Sequence, residues 1–285
     1  MRVATIVVHW NSVEDLPGCL EALGSHPDLL TVVVDNASPD GGEDLVRRRY
    51  PAVRWLPMGR NAGYGAAVNA GAAATRSDWL LALNPDTTMT GRDVLAMAAA
   101  ARDLGAAAMG PKIVGRDGHT ELSYSTRDSL AGDFGWMLAW RSGLPAARVT
   151  SPREVAWATG ACLLLRRDDF ERVGGFDEKY FLYFEDADLC RRLRLGGTRV
   201  IHHPGFTATH RRGGSIREQT GARELAYRRS QMRFASLHRS PAGRRLVRWS
   251  LVLRAWLLRG PWSSPDARAR GAALREIARS AQTRG

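Results

Sequence analysis

Residues 2–38, RVATIVVHWNSVEDLPGCLEALGSHPDLLTVVVDNAS, contain two apolar, β-branched runs separated by a segment with helical leucine spacing. This pattern predicts a strand, a helix and a second strand. The alternation continues, because VRWLPMG and WLLALNPD also have strand patterns, while NAGYGAAVNAGAAATRS and GRDVLAMAAAARDLG predict helices. Such chains form a mostly parallel sheet covered by helices on both faces. The sequence therefore predicts an α/β fold.

Polar residues follow the predicted strands, in the segments HWNS, DNAS, GRNAG and NPD. In open α/β sheets, ligands bind outside the carboxyl ends of the strands. Two of these segments supply a carboxylate, Asp35 and Asp86. A purely structural sheet has no need of acids there, so we expect a binding site at this edge.

Each signal in these segments has two explanations. Asp35 either forms an Asx turn or accepts a hydrogen bond from the imide N–H of a uracil or thymine. In NAGYGAAVNAG, Gly63 and Gly65 either permit tight helix–sheet packing or let a phosphate approach a helix N-terminus. Asp86 is either a turn residue or a ligand of Mg²⁺ or Mn²⁺, which take one or two carboxylates plus substrate phosphates. The order of the segments favours one shared site.

The segment FDEKYFLYFEDADLCRRLRLGG, residues 176–197, places aromatic residues directly before Glu185, Asp186 and Asp188. Acids in a first helical turn complement the helix dipole, which is the simplest explanation of this segment alone. Aromatic rings beside a carboxylate are also typical of a sugar pocket. Both interpretations stay open at this point.

His210 precedes two arginines and two glycines, a pattern typical of a metal or diphosphate contact. His202 and His203, in HHP, follow a predicted strand, and a turn is one interpretation of them. A second ligand at zinc-finger or HExxH spacing is missing from the sequence, so zinc is not expected.

Charge divides the 285-residue chain into two parts. Residues 1–210 carry a net charge of −2 and residues 211–285 carry +14, which gives +12 in total. A basic tail fits nucleic acid, an anionic membrane or an anionic substrate. A nucleic-acid-binding module requires arginine and aromatic residues interleaved along the chain, so the acidic first part argues against one.

Cys19, Cys162 and Cys190 lie far apart without a metal-binding spacing, and we expect reduced core thiols in a cytosolic protein. The segment MRVATIVVHWNS lacks the apolar region and cleavage site of a signal peptide. Apolar runs stay well short of the ~20 residues of a membrane span. The sequence predicts a soluble or peripheral protein.

The segment RRLVRWSLVLRAWLLRGPW, residues 244–262, has the pattern of an interfacial helix. A period of about 3.6 residues places five large apolar residues on one face: Leu246, Trp249, Leu253, Trp256 and Leu257. It places three arginines roughly opposite: Arg244, Arg248 and Arg259. The alternative is a helix that packs on the catalytic domain with its arginines in water.

These motifs together resemble the inverting nucleotide-sugar glycosyltransferases of family 2, which have the GT-A fold. The similarity runs from about Val3 to Ser215, through VVHWNSVEDLPGCLEAL, VVVDNASPDGG, NAGYGAAVNAG, LALNPD, ATGACLLLRRDDFERVGGFDEKYFLYFEDADLCRRLRLGG and the His210 segment. Within this family it resembles the bacterial rhamnosyltransferases that act on polyprenyl-diphosphate-linked sugars.

The resemblance implies a domain organisation. Residues 1–215 form a GT-A catalytic domain, in which 1–114 bind the nucleotide sugar and 115–215 bind the acceptor. Within the second half, residues 115–155 lack a clear period, and we expect a loop or lid. Residues 216–285 form a basic helical C-terminal extension.

The resemblance also implies a donor site. Asp35 contacts the nucleobase, and Asn61 and Gly63 lie beside the ribose and diphosphate. Asn84 and Asp86 complete the nucleotide-sugar-binding set.

The implied metal is Mg²⁺ or Mn²⁺, with Asp86 and His210 as its ligands. The family commonly has Asp-x-Asp at this motif, and Asn84 stands here in the first position. One carboxylate fewer implies an ion held loosely and recruited largely by the donor diphosphate.

On the acceptor side, the resemblance implies that Asp186 is the catalytic base, kept ionised by the helix dipole. Tyr183, Glu185 and Asp188 are the implied acceptor-binding residues. A single base suffices for inversion, because the leaving nucleoside diphosphate needs a metal and cations but no acid.

The implied activity is transfer of a sugar, first of all L-rhamnose from dTDP-L-rhamnose, to a lipid-linked or other glycan in cell-envelope polysaccharide synthesis. The implied place is the cytoplasm, peripheral on the inner face of the cell membrane. A UDP-sugar donor, as for galactofuranose, and a nucleotidyltransferase activity are the alternatives. A homodimer is left open, and a nucleic-acid partner is not expected.

Overall fold

The computed structural model describes residues 1–127, 149–211, 220–258 and 265–280. The chain divides into two units, which we call the sheet unit (residues 1–178 and 186–216) and the helical unit (residues 179–185 and 217–285). The predicted boundary between a catalytic domain, residues 1–215, and a C-terminal extension, residues 216–285, stays a prediction. Residues 179–185, however, group with the helical unit.

The sheet unit contains eleven strands and six helices within the described residues. The strands are β1 Val3–His9, β2 Leu29–Asp35, β3 Arg54–Pro57, β4 Trp79–Leu83, β5 Thr87–Thr88, β6 Ala106–Gly115, β7 Tyr124–Ser125, β8 Arg153–Glu154, β9 Trp157–Ala158, β10 Cys162–Arg166 and β11 Arg199–His210. The helices are α1 Leu16–Leu23, α2 Gly42–Arg49, α3 Tyr64–Ala73, α4 Gly91–Asp103, α5 Arg167–Arg172 and α6 Glu185–Leu195.

The main sheet has the strand order β3-β2-β1-β4-β10-β6-β11-β5, with β8 paired to β11. Strands β1 to β4 pair in parallel, as do β6 and β11. Strand β10 runs antiparallel between β4 and β6, and β5 runs antiparallel to β11. The predicted α/β architecture with a mostly parallel sheet is confirmed.

The core lies on both faces of this sheet, which explains why the strands are almost continuously apolar. In β1, Val3 and Val7 pack in one buried cluster, whereas Ala4 and Ile6 pack in another on the opposite face. Small residues of α3 permit close approach on the second face. A Cβ on Gly71 would lie 2.5 Å from Cγ2 of Ile6.

Three sequence-based expectations concern this core and its surroundings. Cys19, Cys162 and Cys190 are buried free thiols, as predicted. Most of the predicted loop or lid, residues 128–148, lies outside the described residues. Across the helices that the structure describes, none is long and apolar enough to cross a membrane.

The helical unit contains α7 Thr220–His238, α8 Pro241–Leu257 and α9 Pro265–Ser280. Helix α8 begins with an N-cap, where the Ser240 side chain accepts from the backbone N–H of Gly243, and Pro241 occupies the first turn. The three helices pack on one another. A Cβ on Gly271 of α9 would lie 3.1 Å from the carbonyl oxygen of Ala255 in α8, so this glycine allows close helix contact.

Candidate functional site

The carboxyl end of β2 carries Asp35, which is buried next to His9 at the end of β1. The backbone N–H of Ser38 donates to Asp35 Oδ1 over 2.9 Å. One carboxylate oxygen therefore stabilises the turn, in agreement with the structural explanation of this residue. Nucleobase binding by Asp35 stays a prediction.

Asn36 joins this turn to the loop before α3. Its Nδ2 donates to the Gly63 carbonyl over 3.2 Å, and its Oδ1 accepts from the N–H of Ala62 over 3.3 Å. Asn61 Oδ1 accepts from the N–H of Gly63, which has a φ of 95°. Only glycine adopts this conformation readily. Asn36 was not predicted as a site residue from the sequence.

The other predicted loop glycine, Gly65, has a packing role. A Cβ at this position would lie 2.8 Å from Cβ of Phe176. The tight-packing explanation therefore holds for Gly65, whereas Gly63 is required by its backbone conformation.

A second group missed by sequence reasoning lies where β1 ends. His9 is fully buried, its Nε2 is 3.0 Å from Asp40 Oδ1, and its Nδ1 is 2.9 Å from Ser12 Oγ. Asp40 also accepts from the backbone N–H groups of Val13 and Gly42. Although partial burial opposes it, hydrogen bonding and the charge of His9 lower the pKa of Asp40. This group ties the loop after β1 to the loop after β2.

The predicted metal ligands Asp86 and His210 lie together. His210 Nε2 is 3.2 Å from Asp86 Oδ1, and its Nδ1 is 3.3 Å from Glu121 Oε2. The short strand β5 produces this arrangement by pairing with the end of β11, where Thr87 lies opposite His210. Burial by itself lowers the pKa of His210, but the hydrogen bonds and charges of Asp86 and Glu121 outweigh it and raise the pKa to about 9.

Glu121 was not predicted, because its sequence neighbourhood has no distinctive motif. A ligand histidine commonly uses its second ring nitrogen to contact a carboxylate, which fixes the orientation of the ring. Glu121 occupies that place relative to His210. The arrangement leaves Nε2 directed toward Asp86.

Asp86 and His210 fit a divalent ion that takes its remaining ligands from a substrate diphosphate and water. One carboxylate oxygen and one imidazole nitrogen converge, and both side chains are largely buried. A group of three or more His, Cys, Asp or Glu side chains able to hold a metal is not found in the part of the chain that the structure describes.

Asp186 lies at the start of α6 and accepts two backbone hydrogen bonds. The N–H of Gly160 donates to its Oδ2 over 2.9 Å, and the N–H of Ala187 donates to its Oδ1 over 2.8 Å. Burial, which removes water from the carboxylate, raises the pKa of Asp186 above the ordinary value. The two backbone hydrogen bonds lower the pKa, but their effect is smaller. The sequence-based expectation that the helix terminus keeps Asp186 ionised included the stabilising helix terminus but not the opposing effect of burial.

The loop Gly160–Ala161, just before β10, connects the acid of α6 to the candidate donor site. The Ala161 carbonyl accepts from the N–H of Asn84 over 3.0 Å, while Gly160 bonds to Asp186. Tyr64, at the start of α3, donates its hydroxyl to the Gly160 carbonyl over 2.5 Å. Hydrogen bonds through this loop thus bring Asn84, Tyr64 and Asp186 into one neighbourhood.

Asp188 lies in the interior. It is 1% exposed, and its Oδ2 is 2.7 Å from Nε of Arg192, one turn later in α6. Arg192 also donates to the Val173 carbonyl. This position favours a structural role in anchoring α6 over contact with an acceptor.

Tyr183 and the first residue of α6, Glu185, group with the helical unit, whereas the rest of α6 groups with the sheet unit. Glu185 is buried, and the Tyr183 ring lies 5.6 Å from that of Tyr227 in α7. Tyr183 and Phe184 both have left-handed φ values, 69° and 67°. Each such conformation costs a bulky residue on the order of 1–2 kcal/mol. Contacts of Phe184 with Tyr227 and Phe234 accompany this strained turn.

Comparison with protein families shows what this chain is similar to. The family model described as "Glycosyl transferase family 2" matches residues 5–174, and the model described as "N-terminal domain of galactosyltransferase" matches residues 146–212. The first match includes both loops joined by Asn36 and the strand that precedes Asp86. The second includes Asp186 and His210.

Two similar proteins are both named as rhamnosyltransferases. The chain is 34% identical over 262 residues to the N-acetylglucosaminyl-diphospho-decaprenol L-rhamnosyltransferase of Mycobacterium tuberculosis, which covers 83% of this chain and 85% of the relative. It is 37% identical over 138 residues to the rhamnosyltransferase WbbL of Escherichia coli, or 47% of this chain and 52% of the relative.

Solved structures show the same fold. The mannosyltransferase PcManGT from Pyrobaculum calidifontis, in complex with GDP-Man and Mn²⁺, has a TM-score of 0.58 at 19% identity, covering 100% of this chain and 76% of that one. S. aureus TarS 1-349 has a TM-score of 0.58 at 14% identity, covering 99% and 92%. This likeness confirms the predicted GT-A fold. Because the family 2 model spans more than half of the chain and the mycobacterial relative is 34% identical over most of both chains, the chain belongs to glycosyltransferase family 2.

Proposed function

We propose that this enzyme transfers L-rhamnose from dTDP-L-rhamnose, with inversion, to a sugar carried by a polyprenyl diphosphate in cell-envelope polysaccharide synthesis. The observation that carries the proposal is the hydrogen-bonded path from Asn84 through Gly160–Ala161 to Asp186. Through this path the Asp186 carboxylate is connected to the end of β4, and Asp86 follows that strand end. The identity to the mycobacterial rhamnosyltransferase supports the choice of sugar and acceptor.

In this proposal the donor nucleotide lies along the ends of β2 and β4. Asp35 binds the thymine through its second carboxylate oxygen, and Asn61 and Gly63 contact the ribose and diphosphate. Asn84 completes this set. Gly63 has no side chain that would keep a phosphate away from its backbone. It lies at the beginning of α3, where an anion is favoured.

Asp86 and His210 hold Mg²⁺ or Mn²⁺ in the proposed enzyme. When bound, the ion neutralises charge that develops on the leaving diphosphate. Glu121 keeps the His210 ring in place, and Arg211 follows directly in the chain. The N–H of Arg211 donates to the Asp86 carbonyl over 2.7 Å, so the two residues are held side by side.

Asp186 acts as the general base. It accepts the proton of the acceptor hydroxyl while that oxygen forms its bond to the anomeric carbon, and the bond from this carbon to the dTDP oxygen breaks on the opposite face. A raised pKa makes the carboxylate a stronger proton acceptor than an exposed aspartate. Tyr183, Glu185 and Asp188 stay predictions for acceptor binding, and the burial of Asp188 makes it the weakest of the three.

A donor panel tests the proposed reaction. The purified protein is incubated with dTDP-L-rhamnose, UDP-hexoses and UDP-galactofuranose, with Mg²⁺ and a synthetic polyprenyl-diphosphate N-acetylglucosamine. We expect acceptor-dependent release of dTDP and a product extended by one rhamnose. Turnover of a UDP-sugar with no use of dTDP-L-rhamnose would contradict the donor, and release of pyrophosphate would indicate nucleotidyl transfer.

We also place the working enzyme at the cytoplasmic face of the membrane, because the proposed acceptor is anchored there by its lipid. The basic character of residues 211–285 supports this location.

A further inference from the structure

Helix α8 has two different faces. Its buried face consists of small or aliphatic residues at helical spacing: Gly243, Val247, Leu251 and Ala255. Its opposite face consists of larger apolar residues that are 53–67% exposed: Leu246, Trp249, Leu253, Trp256 and Leu257. We call these five residues the α8 patch. The helix thus directs its largest apolar side chains away from the bundle.

The α8 patch is unusual within this chain. The other large hydrophobic residues exposed in the described residues are Met1, Leu30, Phe181, Leu195 and Leu237, which are spread over several elements. Single exposed apolar residues are normal on protein surfaces, whereas a contiguous group indicates an interaction site. Because all five patch residues lie on one helix face, a single flat partner can contact them together.

Arg244 and Arg248 lie on the side of α8 opposite the α8 patch, as the helical period predicted. Arg244 and Arg248 are partly buried on the packed side, and Arg254 pairs with Glu224 of α7 over 2.5 Å. Arg259 lies outside the described residues. The exposed positive charge comes from residues across the helical unit, including Arg245 of α8 itself. The exposed cations of this unit, among the side chains described there, are Lys179, Arg229, Arg245, Arg268 and Arg279.

We infer that the α8 patch docks on the surface of an anionic lipid bilayer, with Trp249 and Trp256 at the headgroup boundary. Tryptophan prefers this boundary, and each nearby arginine strengthens binding to an anionic leaflet. A second copy of the chain fits less well, because residues 211–285 carry a net charge of +14 and two such regions repel each other. Docking brings the enzyme to its lipid-linked acceptor, and this role rests on the proposed function.

Vesicle flotation of the full-length protein tests the inference. The double variant Trp249→Gln and Trp256→Gln keeps good helix formers on an exposed face, so it should fold normally. We expect its binding to vesicles of phosphatidylcholine and phosphatidylglycerol in equal parts to fall by about tenfold or more. The reason is that two large aromatic side chains are no longer transferred from water to the bilayer interface. Leu195→Gln, at an exposed leucine on α6, is the matched control and should bind like the wild type.

A charge arm completes the experiment. Arg245→Gln should weaken binding about fivefold, and the wild type should bind vesicles of phosphatidylcholine alone much less tightly. Equal flotation of the double tryptophan variant and the wild type would overturn the inference. So would a stable wild-type dimer, measured by light scattering, that the double variant abolishes. Release of dTDP with a water-soluble acceptor analogue should be unchanged in the double variant, which separates failure of docking from failure of the proposed reaction.

Discussion

The sheet unit and the helical unit place the same kinds of residue in opposite ways. In the sheet unit, apolar side chains fill both faces of the sheet, and acids lie where strands end or helices begin. In the helical unit, α8 packs through small residues and exposes two tryptophans and three leucines. We propose that the first arrangement forms the substrate site and that the second forms the membrane-docking surface.

The largest expected effect tests the acid at the start of α6. Asp186→Asn should lower the turnover number by about 10²–10⁴ because the general base is lost, while binding of dTDP-L-rhamnose stays close to wild type. Steady-state kinetics and calorimetric titration of the donor measure the two quantities. Asp168→Asn, at an exposed acid on α5, is the control. Near-normal turnover of the Asp186 variant would remove Asp186 from its proposed role.

A pair of substitutions in α8 tests the contrast between its two faces. Leu251→Ala should lower the free energy of unfolding by about 2–5 kcal/mol, because Leu251 is fully buried. Leu253→Ala, at a side chain that is 58% exposed, should change it by less than about 0.5 kcal/mol. Urea denaturation measures both. Equal losses would show that the α8 patch is covered within the folded chain.

Glu121→Gln tests whether the carboxylate behind His210 positions a metal ligand. We expect a loss of about 10–100-fold in Mn²⁺ affinity in the presence of dTDP, because the ring orientation is no longer fixed. Water-proton relaxation of bound Mn²⁺ reports this affinity without turnover. Glu178→Gln, at an exposed glutamate of the same unit, should leave it unchanged. Unchanged affinity in the Glu121 variant would assign Glu121 to folding alone.

The smallest expected effect concerns the pKa of Asp186. Burial raises this pKa, so the folded state holds the proton more tightly than the unfolded chain. Stability therefore falls as the pH rises from the ordinary aspartate pKa through the raised value. Asp186→Asn carries no such penalty and should unfold at a slightly higher temperature than wild type at neutral pH. The difference should shrink as the pH falls toward the ordinary aspartate value, and a pH-independent difference would contradict this explanation.

The sequence predicted the sheet well because strand and helix periodicities are local properties. Residues 2–38 show both periods clearly, and their polar ends mark the strand exits that carry Asp35 and Asp86. The family resemblance assigned both Asp86 and His210 to a metal, and the structure brings the two side chains within 3.2 Å of each other. The order of motifs carried that information, since no spacing rule connects two residues so far apart in the chain.

Other features depended on contacts between distant segments and could not be predicted. Glu121 reaches His210 through the pairing of β6 with β11, and Gly160 reaches Asp186 through the loop before β10. The balance of burial and hydrogen bonding at Asp186 also depends on tertiary packing. In α8 the periodicity predicted which residues share a face, and the interpretation as an interfacial helix correctly expected this face to be exposed.

The strained turn at Tyr183 and Phe184 has a consequence for protein engineering. Residues 179–185 belong by their contacts to the helical unit, yet the next residue, Asp186, belongs to the sheet unit. The aromatic rings of this segment pack on α7, and the Ser230 hydroxyl donates to the Leu182 carbonyl. A chimera that exchanges the C-terminal helices of two related enzymes at residue 216 would therefore pair one enzyme's turn with the other's helix. Functional exchange requires that residues 179–185 travel together with those helices.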